Sequence, residues 1–188
     1  KRTLVYIFKP LTTLLIIMMA VLIGSTATAA YKWLIAAGLI LCLAGDIFLM
    51  LPPRYFLAGL GSFLAGHWFY IAAFTLDGGA VLTWWLLPLL IYGVAIHSLL
   101  RRHLGKMRWP VIVYIIFILA MAWAALGRWS SVGSYSAALA AIGALLFVIS
   151  DSVLAYDRFR QKFPAARVVV LSTYWAAQWL IAYSVINP

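Results

Sequence analysis

The chain has 188 residues, 66% hydrophobic and 10% charged, with a mean hydropathy of +1.05 and a formal net charge of +10. A soluble domain of this size cannot solvate such a composition, whereas a polytopic membrane protein requires it. The cations fall in short connections between apolar stretches, so the charge does not form a nucleic-acid-binding face and no nucleic-acid partner is expected.

Apolar windows of about 20 residues, the length that crosses a bilayer, run from Leu11 to Ala27, Trp33 to Leu51, Tyr55 to Thr75, Val81 to Leu100, Trp109 to Leu126, Tyr135 to Tyr156 and Val168 to Val185. Helix breakers separate them: Pro52-Pro53, Asp77-Gly78-Gly79, Gly105, Gly127 and Pro164. The expected fold is an all-α polytopic membrane helix bundle with seven transmembrane helices. It forms a single domain over residues 1–188, because the connections are too short for a soluble one.

The first window opens at Lys9-Pro10, a cation before a proline suited to a first helical turn. Lys9 either snorkels to the interface as an anchor or meets a lipid phosphate at the helix start, where the dipole favours an anion. The second window carries Asp46, about 9 Å from its Pro52 end at 1.5 Å per residue. A carboxylate inside lipid costs several kcal/mol, roughly 2.5 to 3.5 on insertion scales, so such groups normally face a bundle interior and act there. Asp46 shares a face with Gly38, Cys42, Gly45 and Leu49. In the third window His67 shares a face with Gly59, Phe63, Gly66 and Tyr70, and small residues on both faces permit close helix approach.

His97 and His103 sit at or beyond the end of the fourth window, as interfacial residues. The fifth opens on Arg108-Trp109-Pro110. The sixth carries Asp151 at a depth similar to that of Asp46, so two acids from different helices share one layer. Ser150 and Ser152 flank Asp151 without a triad partner. The seventh carries Tyr174 and Gln178, four residues apart on one face. His67, Tyr70, Tyr174 and Gln178 either position water or substrate in a cavity or make packing hydrogen bonds. Cys42 is the single cysteine, which leaves no intramolecular disulfide.

Seven alternating spans collect Lys1, Arg2, Lys9, Arg54, Arg101, Arg102, Lys106, Arg108, Arg158, Arg160, Lys162 and Arg167 on one side and leave Lys32 and Arg128 on the other. That twelve-to-two asymmetry places Lys1 in the cytoplasm and Pro188 outside, with membrane lipids as contacts of the basic loops. Gly45-Asp46-Ile47-Phe48-Leu49 also matches Ser150-Asp151-Ser152-Val153-Leu154, and Ala65-Gly66-His67-Trp68-Phe69 matches Ala176-Ala177-Gln178-Trp179-Leu180. The first three windows thus correspond to the last three as a parallel repeat. A four-plus-four arrangement needs one more helix ahead of Lys1, so the first helix is expected to be missing from this chain.

Five strings in order, Phe8-Lys9-Pro10-Leu11-Thr12, Gly45-Asp46-Ile47-Phe48-Leu49-Met50, Gly66-His67-Trp68-Phe69-Tyr70, Ser150-Asp151-Ser152-Val153-Leu154-Ala155 and Tyr174-Trp175-Ala176-Ala177-Gln178, resemble the YhhN family of membrane proteins, whose animal members are transmembrane lysoplasmalogenases. The resemblance covers essentially the whole chain. It implies an eight-helix fold and a lysophospholipid substrate whose vinyl ether bond is hydrolysed to a fatty aldehyde and a glycerophospho-ethanolamine or -choline.

That chemistry agrees with the residues. A vinyl ether yields to acid: protonation of its outer carbon gives an oxocarbenium ion, and water then adds to the inner carbon. A proton donor, a base for the water and nearby negative charge are needed, and two carboxylates in one low-dielectric layer divide these roles. Asp46 and Asp151 are therefore the expected catalytic pair, with interhelical hydrogen bonding as their structural alternative. Lys9, His67, Tyr70, Tyr174 and Gln178 are the expected substrate-binding set. No metal or cofactor is expected, since the three histidines lie at different depths. A proton-coupled or small-molecule transporter using the same aspartates is the competing function. Compact loops and the absence of a retained targeting signal favour a bacterial inner membrane.

Overall fold

A computed structural model describes residues 2–22, 27–78 and 83–185. Lys1, Gly79, Val81 and Pro188, which enter the expected topology and window limits, lie outside the described residues. The described residues form seven α-helices: α1 (Arg2–Leu22), α2 (Ala29–Met50), α3 (Phe56–Gly78), α4 (Leu86–Leu100), α5 (Arg108–Val132), α6 (Tyr135–Phe159) and α7 (Ala166–Tyr183).

Local chemistry sets several limits. Thr28 caps α2 by accepting from the Tyr31 N–H at 3.3 Å, and Ser134 caps α6 by accepting from the Ala137 N–H at 3.2 Å. Leu51 leaves α2 in extended conformation ahead of Pro52-Pro53. The break expected at Gly127 falls instead at Gly133, which ends α5 in the left-handed region at φ 67°. A single glycine inside an apolar helix is tolerated, so α5 continues through Gly127 for more than a further turn. Likewise α1 starts at Arg2 and carries Pro10 in its interior, so Lys9-Pro10 does not open the helix.

The expectation of seven transmembrane helices is not met. Among the described residues, four segments are long and apolar enough to cross a membrane: Ala29–Met50, Pro53–Leu76, Gly105–Val132 and Tyr135–Phe159. Among the described residues, Leu86–Leu100 and the Phe8–Leu22 part of α1 are shorter apolar helical stretches. At 15 residues, α4 reaches only about 22 Å against a hydrocarbon core of about 30 Å. In α7, Arg167, Thr173 and Gln178 dilute an 18-residue helix, and it does not qualify. The chain is a multi-pass membrane protein.

Neighbouring helices close a ring in the order α1, α2, α3, α5, α6, α7 and back to α1, while α4 lies outside it against α5 and α6. The tightest seams are α2 on α3 and α6 on α7. At the first seam the two glycine-bearing faces meet. A Cβ on Gly38 would lie 2.3 Å from the Tyr70 ring, one on Gly45 2.7 Å from the Phe63 ring, and one on Gly66 3.0 Å from Cys42 Sγ and the Gly38 carbonyl oxygen. Aromatic rings thus fill the space left by missing side chains.

The α2–α3, α4–α5 and α6–α7 connections share one end of the bundle, where Phe56 packs edge-on against Phe159 at 5.9 Å. Arg54, Arg101, Arg102, Lys106, Arg160, Lys162 and Arg167 lie in or beside these connections and are exposed. At the opposite end Arg128 is buried rather than part of a loop. Its Nη1 donates to the Tyr31 hydroxyl and to Ser136 Oγ, both at 3.3 Å, and its guanidinium lies over the Tyr31 ring.

Candidate active site

Asp46 is fully buried inside the ring of helices, where three hydrogen-bonding or charged groups reach it from α1 and α7. Lys9 Nζ lies 2.9 Å from Oδ1. The Thr13 and Tyr174 hydroxyls donate to Oδ2 at 3.0 and 2.8 Å. Lys9 and Thr13 are four residues apart, so one face of α1 supplies both. The chain of bonds continues: Gln178 Nε2 donates to the Tyr174 oxygen at 3.1 Å, and the Tyr70 hydroxyl donates to Gln178 Oε1 at 2.7 Å. Five of the sequence-predicted residues, Lys9, Asp46, Tyr70, Tyr174 and Gln178, therefore form one network across four helices. Every contact made by the Asp46 oxygens is one that a carboxylate accepts.

Asp151 sits differently. Its Oδ2 accepts from the Tyr114 hydroxyl of α5, and the half-buried carboxyl lines a cavity of about 60 Å³ among α2 to α6. The walls are mostly apolar, including Leu49, Phe63, Ile118 and Val148, and the polar exceptions are Tyr114, Asp151, Ser152 and Arg158. Such a volume accommodates water beside the carboxyl. Ser152 Oγ accepts from the Tyr92 hydroxyl of α4 at 2.8 Å, tying the outer helix to this wall.

His67 lies between the two aspartates without bonding to either. Its ring is 4.9 Å from that of Phe147 and 5.3 Å from that of Tyr114. Phe147 in turn packs edge-on against Tyr174 at 5.4 Å. A continuous path of contacts therefore runs from Asp46 through Tyr174, Phe147, His67 and Tyr114 to Asp151. His67 is fully buried, and neither ring nitrogen has a hydrogen-bond partner among the described residues. Native interiors seldom leave such a group unsatisfied, and a bound water or substrate is the usual partner.

Two expectations change. Lys9 does not stand at a helix start but about two turns inside α1, where its ammonium meets Asp46. The two acids do not open on one cavity: Asp151 lines it, whereas Asp46 is enclosed by its own partners. Sequence reasoning missed Thr13, Tyr114 and Arg158. The i, i+4 step from Lys9 was a usable signal for Thr13, but nothing in the local pattern around Tyr114 ties it to an acid 37 residues away. Among the described residues no three His, Cys, Asp or Glu side chains are grouped as metal ligands.

A helical bundle that encloses an ion pair and carries a second acid in a mostly apolar cavity places the chain among multi-pass membrane proteins with buried intramembrane carboxyls. The family model for the YhhN family matches residues 4–185, and the chain belongs to that family. It is 35% identical to lysoplasmalogenase TMEM86B of Mus musculus over 96% of this chain and 74% of that protein. It is 32% identical to lysoplasmalogenase TMEM86A of Bos taurus, over 95% of this chain and 75% of the relative. The membrane protein YhhN of Escherichia coli O157:H7 is 31% identical over 95% of this chain and 86% of its own length. No solved structure matches the chain.

Proposed function

We propose that this protein is a membrane-embedded lysoplasmalogenase, with Asp151 as the acid that meets the substrate. The observation that carries the reading is a carboxyl group in the wall of a mostly apolar cavity, in a chain 35% identical to a lysoplasmalogenase. Asp151 gives its proton to the outer vinyl carbon, using the double-bond electrons for the new C–H bond and leaving an oxocarbenium ion beside the carboxylate. The carboxylate then takes a proton from water as the water oxygen bonds to the inner carbon. The resulting hemiacetal collapses when that proton passes to the glycerol oxygen as its bond breaks, while the hemiacetal hydroxyl proton returns to Asp151 and the aldehyde forms.

Asp46 contributes as a fixed charge. With Lys9, Thr13 and Tyr174 around it, it holds α1, α2 and α7 together and keeps Tyr174 in place against the aromatic path to the cavity. His67, with two unused nitrogens, positions the water, and Tyr70 and Gln178 orient Tyr174. Identity to the Escherichia coli membrane protein supports a bacterial inner membrane as the location.

Purified protein in detergent, incubated with a 1-alkenyl lysophospholipid and with its 1-acyl ester analogue, tests the reading. Fatty aldehyde should appear from the vinyl ether, with no comparable release from the ester. Absence of aldehyde, or equal cleavage of both, would overturn it.

A further inference from the structure

Arg158 has no part in the network around Asp46, yet it lines the same cavity as Asp151. It is the one lining residue that is exposed, so it marks the mouth. Asp151, Ala155 and Arg158 are spaced at four and three residues and fall on one face of α6. The guanidinium carbon lies 3.7 Å over the Phe56 ring and 6.0 Å from the Phe159 ring. Stacking fixes the plane of the guanidinium while leaving its edge N–H groups free to donate. No ion pair or hydrogen bond to the Arg158 guanidinium is formed by the described residues: Asp157 beside it accepts from the Phe163 N–H instead, at 3.2 Å.

We propose that Arg158 is the phosphate-binding residue of the substrate site, holding the head group at the mouth while the alkenyl ether reaches Asp151. The assignment rests on the lysoplasmalogenase reading for the identity of the ligand. The geometry supplies a ruler. Seven residues of helix rise about 10.5 Å, and helical side chains lean toward the N-terminus, which turns Arg158 toward Asp151. From the outer vinyl carbon to a phosphate oxygen of a 1-alkenyl lysophospholipid there are eight bonds, at most about 12 Å at roughly 1.5 Å each. With near-tetrahedral bond angles the extended linker spans about 10 Å, so with the Arg158 side chain leaning toward Asp151 it connects the two groups near full extension. A planar donor fork at the mouth and an acid deeper in an apolar slot also set the direction of binding, because the reverse orientation would bury a phosphate among Phe63, Ile118 and Val148.

Binding of two unreactive probes tests this in phosphate-free maltoside micelles: a 1-O-alkyl lysophosphatidylethanolamine and the matching 1-O-alkylglycerol, which lacks the phosphate. Arg158→Gln should weaken the phospholipid probe about 10- to 100-fold and leave the alkylglycerol unchanged, and Arg158→Lys should recover part of the loss. Equal weakening of both probes, or of neither, would overturn the proposal and reduce Arg158 to a packing residue or a contact for bilayer phosphates. Because neither probe is hydrolysed, this outcome is independent of whether the vinyl ether is cleaved. Where turnover is measurable, Arg158→Gln should raise KM for the phospholipid substrate with kcat nearly unchanged.

Discussion

The two intramembrane aspartates have opposite environments, and single substitutions should separate them. Asp46 carries an ammonium ion and two hydroxyl donors, so removing Lys9 leaves a buried charge without its counter-ion, a loss that typically reaches about 3 to 5 kcal/mol. Lys9→Met should therefore lower the thermal unfolding temperature sharply, and adding Asp46→Asn to it should restore a good part. Additive losses in that double-mutant cycle would mean that the 2.9 Å pair is not coupled energetically. Asp151→Asn should behave in the reverse manner. The amide keeps the shape of the side chain in the cavity wall and removes the transferable proton, so aldehyde release should fall by about 10²- to 10⁴-fold while unfolding changes little. Tyr114→Phe, which deletes the hydroxyl donor to Asp151, should lower kcat more modestly.

At the scale of elements, the α2–α3 seam positions both halves of the site, because Asp46 and Cys42 lie on one helix and His67 and Tyr70 on the other. Gly38 has no room for a side chain beside Tyr70, whereas Gly61 of α3 faces open space. Gly38→Ala should destabilise by about 1 to 3 kcal/mol, the usual cost of overpacking, and should disturb the Tyr70–Gln178–Tyr174 relay. Gly61→Ala should be neutral in the same thermal unfolding measurement. A neutral Gly38→Ala would show that the Tyr70 ring can move aside. The glycine faces on α2 and α3 were readable as period-four patterns, but their docking onto each other was not, since a helix face carries no mark of which neighbour it meets.

For the whole molecule, the basic connections gather at one end of the bundle and Asp151 opens toward that end through the cavity whose mouth is Arg158. Short basic loops stay in the cytoplasm. Single cysteines introduced at Gly105 and Gly133, on either side of the apolar helix α5, should therefore label from opposite faces of the membrane, with Gly105 on the cytoplasmic face. Both background variants need Cys42 replaced, and labelling of the two sites from the same face would refute the orientation.

The amino-acid sequence by itself determined the membrane class, the all-helical content, the family and the placement of two aspartates inside apolar helices, because apolar length, helix breakers and intramembrane charge are properties of local segments. It overstated the number of spans, because an apolar window does not reveal where α4 stops or that the polar residues of α7 dilute it. Only the tertiary structure decided that Lys9 belongs to Asp46, that Tyr114 belongs to Asp151, and that one acid is enclosed while the other meets a cavity. It also took Arg128 out of a loop and placed it in the interior. Each of these outcomes depends on which faces of different helices come together when the ring closes, and a side chain buried among other helices acquires its partners from that packing rather than from its own neighbours in the chain.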